Sequence, residues 1–376
     1  MEEESALTVG KRYNVTWQQT MLRIHDPKET VEFYEKHFGM VNIHTYHFDE
    51  YNFSLYFMIT PPYDEEEKRK LPKPNTVDSE KYLWNLNTVC LELTHNHNSD
   101  EILSNGNNKN DRGFGHIAFN CNDVVKLCDF LFKEKKVKFH KLPHETNMKT
   151  IGFALDPNNY WIEIVKRSND VKWKNREDIT NFSQTMIRVK NPKNSLYFYM
   201  HILGMELIHV KHNSDFSLYF LKSVYCNSET GKAKAGKHTL FDFDTLRTSF
   251  QSGEDYENFK KSWEPVLELT HNHGTENDEN FTYHNGNTEP RGFGHIGFLV
   301  DDLQNYCKEL EKLNIPFKKK IHEGLMNNIA FVYDPDNYLV ELIQRDTSFN
   351  ANNVKYVADD YLHARLFAFY EVIWFQ

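Results

Sequence analysis

Apolar residues in the first part of the chain change their spacing from strand-like to helix-like and back again. They alternate with polar residues over Thr20–Ile24, which is typical of a half-buried strand, and they take helical spacing over Lys28–Phe38, before Gly39. Three more strand-like runs follow, at Val41–Phe48, Phe53–Ile59 and Val89–Thr94. This stretch therefore predicts a module with the element order β-α-β-β-β.

The next stretch predicts the same order of elements. A strand over His116–Asn120 is followed by a helix over Val124–Lys133, for which Asp123 is the candidate N-cap. Three strands complete this module, at Val137–Lys141, Ile151–Leu155 and Trp161–Val165. The first half of the chain thus contains two similar modules.

Both modules recur in the second half, with close copies of several polar segments. Gln-Thr-Met-Leu-Arg at 19–23 returns as Gln-Thr-Met-Ile-Arg at 184–188, and Arg-Gly-Phe-Gly-His-Ile occurs at 112–117 and at 291–296. A repeat this long indicates duplicated domains, with a polar insertion at about 223–262 in the second copy. We predict an α+β fold of four βαβββ modules, with a first domain over 1–167, a linker over 168–181, a second domain over 182–346 and a tail over 347–376.

Composition narrows the classes of function. The formal net charge of −10 argues against nucleic acid as the main partner, because phosphate binding needs a basic surface. The chain shows neither a signal-like N-terminus nor an apolar run of membrane-spanning length, so we expect a cytoplasmic protein without a membrane partner. The absence of a CxxC pair favours a reducing compartment and buried thiols at Cys90, Cys121, Cys128, Cys226 and Cys307.

The C-terminal tail has no counterpart in the first half. Its segment Leu366–Phe375 is rich in aromatic residues and is too short to span a bilayer. A segment packed on the surface, a poorly ordered end and a membrane or partner contact all stay open from the sequence.

The residues that recur most closely are polar, and four of them are possible metal ligands. One imidazole, two carboxylates and one amide oxygen suit Zn²⁺, Ni²⁺, Co²⁺ or Mn²⁺ and leave room for a bidentate oxygen ligand. A single Gln or Glu on a strand is usually structural, but recurrence of the whole set favours metal binding. The set is Gln19, Glu92, His116 and Glu163, and its copy is Gln184, Glu268, His295 and Glu341.

A second recurring set has the chemistry to hold an acidic small molecule. Arginine guanidinium groups and lysine ammonium groups bind carboxylates. The alternative interpretation of these residues is that they form ion pairs on the surface. Recurrence beside the candidate ligands favours binding. The set is Arg23, Asn96, Arg112 and Lys141, and its copy is Arg188, Asn272, Arg291 and Lys319.

The candidate ligands fall on the first and last strands of each module. Each module supplies two of them, so a site with four ligands needs two modules facing each other. The sequence leaves open whether the modules pair within a half or between halves. A nuclease motif at His95–His97 is a weaker interpretation, because the chain is acidic. A phosphate loop at Gly113–Gly115 is also a weaker interpretation, because these glycines precede a strand rather than a helix.

These motifs, in this order, closely resemble those of the glyoxalase I (lactoylglutathione lyase) family. Those that carry the resemblance are Gln-Thr-Met-Leu-Arg, Leu-Glu-Leu-Thr-His-Asn, Asn-Gly-Asn with Arg-Gly-Phe-Gly-His-Ile, and Asp-Pro-x-x-Tyr-x-x-Glu. The resemblance covers residues 13–167 and 180–346, as in the double-length monomeric form of the family. It implies the vicinal oxygen chelate fold, in which βαβββ modules form two curved mixed sheets.

The resemblance also implies a role for each recurring residue. Gln19, Glu92, His295 and Glu341 would bind one metal ion, in site one, and Gln184, Glu268, His116 and Glu163 would bind the other, in site two. Glutathione would be held by Arg23, Asn96, Arg291 and Lys319 in site one and by Arg188, Asn272, Arg112 and Lys141 in site two. The insertions after the Phe-Ser-Leu-Tyr-Phe runs are similar to those of zinc-using members of the family.

The implied reaction isomerises the hemithioacetal of methylglyoxal and glutathione to S-lactoylglutathione through an enediolate. Glutathione is then the co-substrate, and the catalytic bases are Glu341 in site one and Glu163 in site two. Two rivals from the same superfamily are an extradiol dioxygenase, which needs two His and one carboxylate, and a non-catalytic drug-binding protein.

This sequence departs from the family pattern in two places. Asn159 and Asn337 replace the usual glycine before the tyrosine of the Asp-Pro turn, and asparagine tolerates such turns. The segments near Met148 and Met326, which resemble a loop that covers the substrate, differ between the halves. We therefore expect that the two sites can differ in affinity or rate.

Overall fold

A computed structural model describes residues 8–62, 64–145, 150–166, 180–224, 243, 259, 264–323 and 326–349. The segment at Met148, nearly all of the linker predicted over 168–181, most of the insertion at 223–262 and the tail from residue 350 lie outside the described residues. In the described ranges, no helix has the length and apolarity needed to cross a membrane.

The described part contains sixteen strands and seven α-helices. The strands are β1 (Thr16–Ile24), β2 (Val41–Phe48), β3 (Phe53–Ile59), β4 (Cys90–Asn96), β5 (Phe114–Cys121), β6 (Phe139–Lys141), β7 (Ile151–Leu155), β8 (Trp161–Lys166), β9 (Thr180–Arg188), β10 (Glu206–His212), β11 (Phe216–Lys222), β12 (Val266–Asn272), β13 (Phe293–Val300), β14 (Phe317–Lys319), β15 (Ile329–Tyr333) and β16 (Leu339–Gln344). The helices are α1 (Val9–Arg12), α2 (Pro27–Phe38), α3 (Glu65–Arg69), α4 (Val77–Leu83), α5 (Val124–Lys133), α6 (Pro192–Leu196) and α7 (Leu303–Lys312).

Local sequence signals fix the ends of the helices. At the start of α2 the Asp26 side chain accepts a hydrogen bond from the Glu29 amide, and Gly39 ends the helix in the left-handed conformation with φ of 63°. Asp123 accepts from the Lys126 amide at the start of α5, so its predicted role as N-cap is confirmed. Aspartate and glycine therefore set where the chain enters and leaves these helices.

The strands form two eight-stranded mixed sheets, and each sheet is built from both halves of the chain. The first sheet has the order β14-β15-β16-β13-β1-β4-β3-β2, and the second has the order β10-β11-β12-β9-β5-β8-β7-β6. The predicted α+β fold with four βαβββ modules in two mixed sheets is thus confirmed. The modules meet edge to edge within a sheet, through the antiparallel pairs β1–β13 and β5–β9.

The two sheets share one hydrophobic core. Buried residues of both sheets, among them Trp17 and Ile187, belong to the same cluster. Phe114 stacks on Phe293 with ring centroids 5.1 Å apart, and the hydroxyls of Thr20 and Thr185 are 2.7 Å apart. These contacts join equivalent residues of the two halves, so the duplication also places its copies side by side.

Three features of the fold were not predicted from the sequence. Helices α3 and α4 lie in the insertion of the first half, and α1 precedes the first strand. Helix α6 continues as a π-helical segment over Tyr197–Ile202, where α2 of the first half is a regular α-helix. The predicted burial of cysteines is confirmed for the four that are described, all unpaired, at Cys90, Cys121, Cys128 and Cys307.

Candidate active site

Four neighbouring strands of the first sheet each carry one candidate ligand of site one. In the order β16-β13-β1-β4 these ligands are Glu341, His295, Gln19 and Glu92. In the parallel pairs β13–β16 and β1–β4, each candidate ligand lies two residues from the position opposite its neighbour, so the four lie close together on the sheet. The sequence predicted that two modules are needed, and the edge-to-edge contact of β1 with β13 provides them.

The side chains of site one converge within hydrogen-bonding distance. His295 Nε2 lies 3.0 Å from Glu341 Oε2 and 3.3 Å from Glu92 Oε2. Gln19 Nε2 donates to Glu341 Oε2 at 2.8 Å and to Glu92 Oε2 in a short contact. All four residues are buried. The donor atoms therefore surround a small, water-poor space.

Site two repeats this arrangement in the second sheet with slightly wider spacing. His116 Nε2 lies 3.4 Å from Glu163 Oε2 and 3.8 Å from Glu268 Oε2. Gln184 Nε2 donates to Glu163 Oε2 at 2.6 Å and to Glu268 Oε2 at 2.9 Å. Each set thus draws residues from both halves, in the grouping that the resemblance implied. The role of these residues as metal ligands stays a prediction.

Burial of adjacent acids and imidazoles shifts their protonation. Burial raises the pKa of Glu268 to about 7 against the opposing effect of His116, and burial also raises the pKa of Glu341. Burial alone would lower the pKa of His295, but the Glu341 and Glu92 carboxylates raise it to about 9. The second glutamate of each centre adds to the rise in the glutamate pKa, as Glu163 does for Glu268 and Glu92 for Glu341, and a cation bound between the two carboxylates would relieve their repulsion.

The donor set fits a divalent cation. In both clusters one nitrogen of a buried histidine and one oxygen from each of two buried glutamates lie within 4.8 Å of one another. Gln19 Oε1 is buried, and no donor among the described residues reaches it. Rotating this amide would direct its oxygen at the centre without losing a hydrogen bond made by that oxygen.

Neighbouring side chains contact these candidate ligands. Thr94 Oγ1 donates to Glu92 Oε1 at 3.2 Å, and Thr270 Oγ1 donates to Glu268 Oε1 at 3.1 Å. Phe331 packs edge-on against the His295 ring. The recurring Leu-Glu-Leu-Thr segment carried the signal for the threonines, since the positions of Glu and Thr, two apart on a strand, share a face.

Arg23 and Arg188 occupy equivalent and largely buried positions. Arg23 Nη1 donates to the carbonyls of Gly286, Gly292 and Phe293, each at 3.3 Å, and Nη2 donates to Asn287 Oδ1 at 2.8 Å. Arg188 makes the same contacts with the carbonyls of the other half and donates to Asn107 Oδ1. Burial lowers the pKa of both guanidinium groups. Asn107 and Asn287 were not predicted to hold the arginines, although the repeated Asn-Gly-Asn motif contains them.

The other residues predicted to bind glutathione differ between the sites. In site one, Asn96 and Arg291 both contact Glu101, a loop residue that the sequence did not single out. Lys319 Nζ donates to the carbonyls of Met326 and Ile329, at 2.8 and 2.9 Å.

In site two, Asn272 donates to the hydroxyl of Tyr283 at 2.8 Å. Arg112 precedes β5 instead of lying on it, and its side chain is exposed. Lys141 is exposed on the edge strand β6, and the residues at 146–149 lie outside the described part. Among the described residues, Glu101 therefore links two of the predicted residues of site one, and no such link joins those of site two.

The Asp-Pro turn of each half connects to the arginine of the other sheet. Tyr160 donates through its hydroxyl to the Arg23 carbonyl at 3.0 Å, and Tyr338 donates to the Arg188 carbonyl at 3.1 Å. Asn159 and Asn337 both take φ of 65°, the left-handed conformation that the sequence predicted for a turn which usually contains glycine.

Glycine is required at one pair of positions beside these turns. A Cβ atom at Gly292 would lie 1.9 Å from the Ser104 carbonyl oxygen, and one at Gly113 would lie 1.9 Å from that of His284. The first glycine of each Arg-Gly-Phe-Gly segment is therefore a place of close backbone approach.

Comparison with known proteins agrees with this fold. The family model described as Glyoxalase/Bleomycin resistance protein/Dioxygenase superfamily matches residues 16–164 and 181–342. The chain therefore belongs to this superfamily. Two crystal structures of glyoxalase I from Zea mays have the same fold. A point mutant has a TM-score of 0.59, covering 92% of this chain and 96% of its own at 22% identity. The second structure has a TM-score of 0.58, covering 89% and 94% at 21% identity.

Two relatives match along most of their length. Glyoxalase I of Saccharomyces cerevisiae is 40% identical over 334 residues, which cover 86% of this chain and 90% of the yeast protein. Lactoylglutathione lyase of Schizosaccharomyces pombe is 36% identical over 344 residues, covering 87% and 95%. The predicted resemblance to glyoxalase I is confirmed, and these relatives support the prediction that the chain is a lyase.

Proposed function

We propose that this protein is a glutathione-dependent lactoylglutathione lyase with two active sites per chain. The observation that carries the proposal is the pair of buried clusters, each with one imidazole, two carboxylates and one amide, beside a largely buried arginine. The substrate is the hemithioacetal of methylglyoxal and glutathione, so the role is methylglyoxal detoxification, and the product is S-lactoylglutathione.

Each cluster binds one divalent metal ion, and zinc is the proposed ion. Site one uses Gln19, Glu92, His295 and Glu341, and site two uses Gln184, Glu268, His116 and Glu163. A bound divalent cation supplies Lewis-acid stabilisation of the negative charge that develops on the two adjacent oxygens of the substrate. Nickel, cobalt and manganese suit the same donor set and are the alternatives.

The protein moves the proton with a glutamate. We assign Glu341 in site one and Glu163 in site two as the base that takes a proton from one substrate carbon and returns it to the next. Burial raises the pKa of Glu341, which makes its carboxylate a stronger base than that of an exposed glutamate. Glu92 and Glu268 lie on the opposite side of each cluster.

The glutathione part of the substrate is oriented by arginine, lysine and asparagine side chains that flank each cluster. Arg23, Asn96, Arg291 and Lys319 bind it in site one, and Arg188, Asn272, Arg112 and Lys141 bind it in site two. The carbonyl contacts of Arg23 and Arg188 hold both guanidinium groups in place before substrate arrives, which reduces the entropy lost on binding.

The proposed function also implies a domain organisation and an oligomeric state. We propose two glyoxalase-like domains, over 1–167 and 182–346, in a cytoplasmic monomer whose linker replaces subunit association. Each sheet already contains modules of both halves, which supports a monomer. A dioxygenase site needs two histidines, and each described cluster contains one.

Thioester absorbance after mixing methylglyoxal, glutathione and zinc-loaded protein tests the proposal. Glu341→Gln should leave site two active and Glu163→Gln should leave site one active, so each variant keeps part of the turnover. The absence of thioester from the wild-type protein with every candidate metal would rule out a lactoylglutathione lyase.

A further inference from the structure

Glu101 lies in the loop between β4 and β5, beside site one, and both of its carboxylate oxygens are engaged. Oε2 lies 2.6 Å from Arg291 Nη2, and Oε1 accepts a hydrogen bond from Asn96 Nδ2 at 2.9 Å. Only 10% of the Glu101 side chain is exposed. A largely buried carboxylate therefore contacts two of the groups that the proposed function assigns to glutathione.

Site two has no equivalent of this carboxylate among the described residues. Asn272 donates to the Tyr283 hydroxyl there, and no carboxylate in the described ranges forms an ion pair with Arg112. The corresponding loop has acids at Glu276, Asp278, Glu279 and Glu289, of which Glu276 contacts His271 at 2.8 Å and Glu289 lies 3.2 Å from Arg291 of site one. That loop is also longer, with residues 274–290 in place of 98–111. The difference follows from divergence of the loop, while the candidate ligands are the same.

The charge beside the two sites differs as a result. Arg291 is paired with Glu101 and also lies 3.2 Å from Glu289 through its Nε atom. Glu101 also acts on Arg23, whose pKa it tends to raise against the larger effect of burial. In both sites burial lowers the pKa of the first arginine, and the second arginine lowers it further, Arg291 acting on Arg23 and Arg112 on Arg188. The sites differ because Arg291 is paired with Glu101 and Glu289, whereas Arg112 forms no ion pair with a carboxylate of the described residues. Site one is thus partly neutralised, and site two keeps two unpaired positive charges for an anionic ligand.

We propose that Glu101 is an internal competitor for a carboxylate of glutathione and sets the affinity of site one. An incoming carboxylate uses the same donors, Arg291 Nη2 and Asn96 Nδ2, so it must displace Glu101 or share them against charge repulsion. Site two binds the same ligand without this displacement. The inference rests on the proposed function, and it makes Glu101 a residue that sets affinity rather than a catalytic one.

Steady-state kinetics in single-site backgrounds tests the competition. Glu163→Gln silences site two, so the remaining KM belongs to site one. Adding Glu101→Gln to that background should lower KM roughly threefold to tenfold with kcat unchanged, because the amide removes the competing charge. Glu276→Gln in a Glu341→Gln background is the matched control, and it should leave the KM of site two unchanged. An unchanged or higher KM for the Glu101 variant would overturn the proposal.

A binding measurement separates this inference from the proposed reaction. Calorimetry with S-methylglutathione, which cannot react, should show tighter binding by the same factor in Glu101→Gln and in Glu101→Ser. Weaker binding in both variants would overturn the competition and would instead mean that Glu101 accepts a hydrogen bond from the ammonium group of glutathione. If the wild type bound this ligand and formed no thioester, the lyase assignment would fail while the Glu101 result would stand.

Discussion

Site one and site two have the same centre and different surroundings. In both, a glutamine, a histidine and two glutamates meet across four neighbouring strands, and a largely buried arginine is held by backbone carbonyls. The surroundings diverge at Glu101, which has no counterpart among the described residues beside site two, and at Asp336, which replaces Asn158. Duplication has thus kept the groups that the proposed reaction needs and changed some of the residues around them.

Double variants of the candidate ligand glutamates should give the largest change in activity when site one and site two are compared. If each site is shared between the halves, Glu92→Gln with Glu163→Gln damages both sites, and activity should fall by about 10²–10⁴. Glu92→Gln with Glu341→Gln damages site one alone and should keep the turnover of site two. Steady-state thioester formation measures both, with metal content and circular dichroism as controls for folding. Substantial activity in the first double variant would contradict sharing.

The buried turns of the two halves provide a second contrast, because one has an extra acid. Asp336 accepts from the Lys190 amide at 2.9 Å, as Asn158 accepts from the His25 amide at 2.9 Å. Burial, followed by the charge of Asp336, raises the pKa of Asp334 to about 8, whereas burial raises the pKa of Asp156 to about 6. In the first half an amide thus stands where the second half has a carboxylate.

The sign of the pH effect follows from these raised values. An acid whose pKa is higher in the folded state than in the unfolded state keeps its proton to a higher pH when the protein is folded. Its contribution to the free energy of unfolding is therefore complete below about pH 4 and is lost as the pH rises toward about 8. We expect Asp336→Asn to raise the free energy of unfolding by about 1–3 kcal/mol at pH 8 and to change it little at pH 4. Urea denaturation at both pH values measures this. Asn158→Asp is the reciprocal control and should destabilise the protein at pH 8, whereas an equal effect of Asp336→Asn at both pH values would argue against the acid pair.

Variants of the turn tyrosines should give the smallest difference in KM between the two sites. Removing the hydroxyl with Tyr160→Phe loses the hydrogen bond to the Arg23 carbonyl, at a cost of about 1 kcal/mol. KM should rise a few-fold in site one only, and Tyr338→Phe should do the same in site two. Kinetics in Glu163→Gln and Glu341→Gln backgrounds assigns each change to a site. If Tyr160→Phe changed the KM of site two, or Tyr338→Phe that of site one, the tyrosines would not act through the arginine carbonyls that they contact.

The sequence was sufficient for those features that depend on neighbouring positions along the chain. Alternating apolar residues predicted the strand at Thr20–Ile24, Asp123 marked the start of a helix, and recurrence marked Gln19 and Glu92. Whether modules pair within or between halves was not decided by the residues alone. It depends on which strand edges meet, here β1 with β13, and such contacts are not local in sequence.

The surroundings of the sites were harder to predict for a related reason. Glu101 lies in a polar loop without periodicity, and only the folded loop brings it to Asn96 and Arg291. Helices α3 and α4 belong to an insertion in which the notable signal is a capping box at Thr76 and Ser79. Loop residues take their role from tertiary contacts, so a pattern along the chain does not reveal it.

Metal stoichiometry tests the central claim, that each chain has two metal sites and each site uses both halves. Protein stripped with a chelator and titrated with zinc should bind two ions per chain. Glu92→Gln should weaken one of them, and adding Glu341→Gln should leave the other intact. Adding Glu163→Gln to Glu92→Gln should weaken both. One ion per wild-type chain, or an intact second ion in Glu92→Gln with Glu163→Gln, would contradict the account.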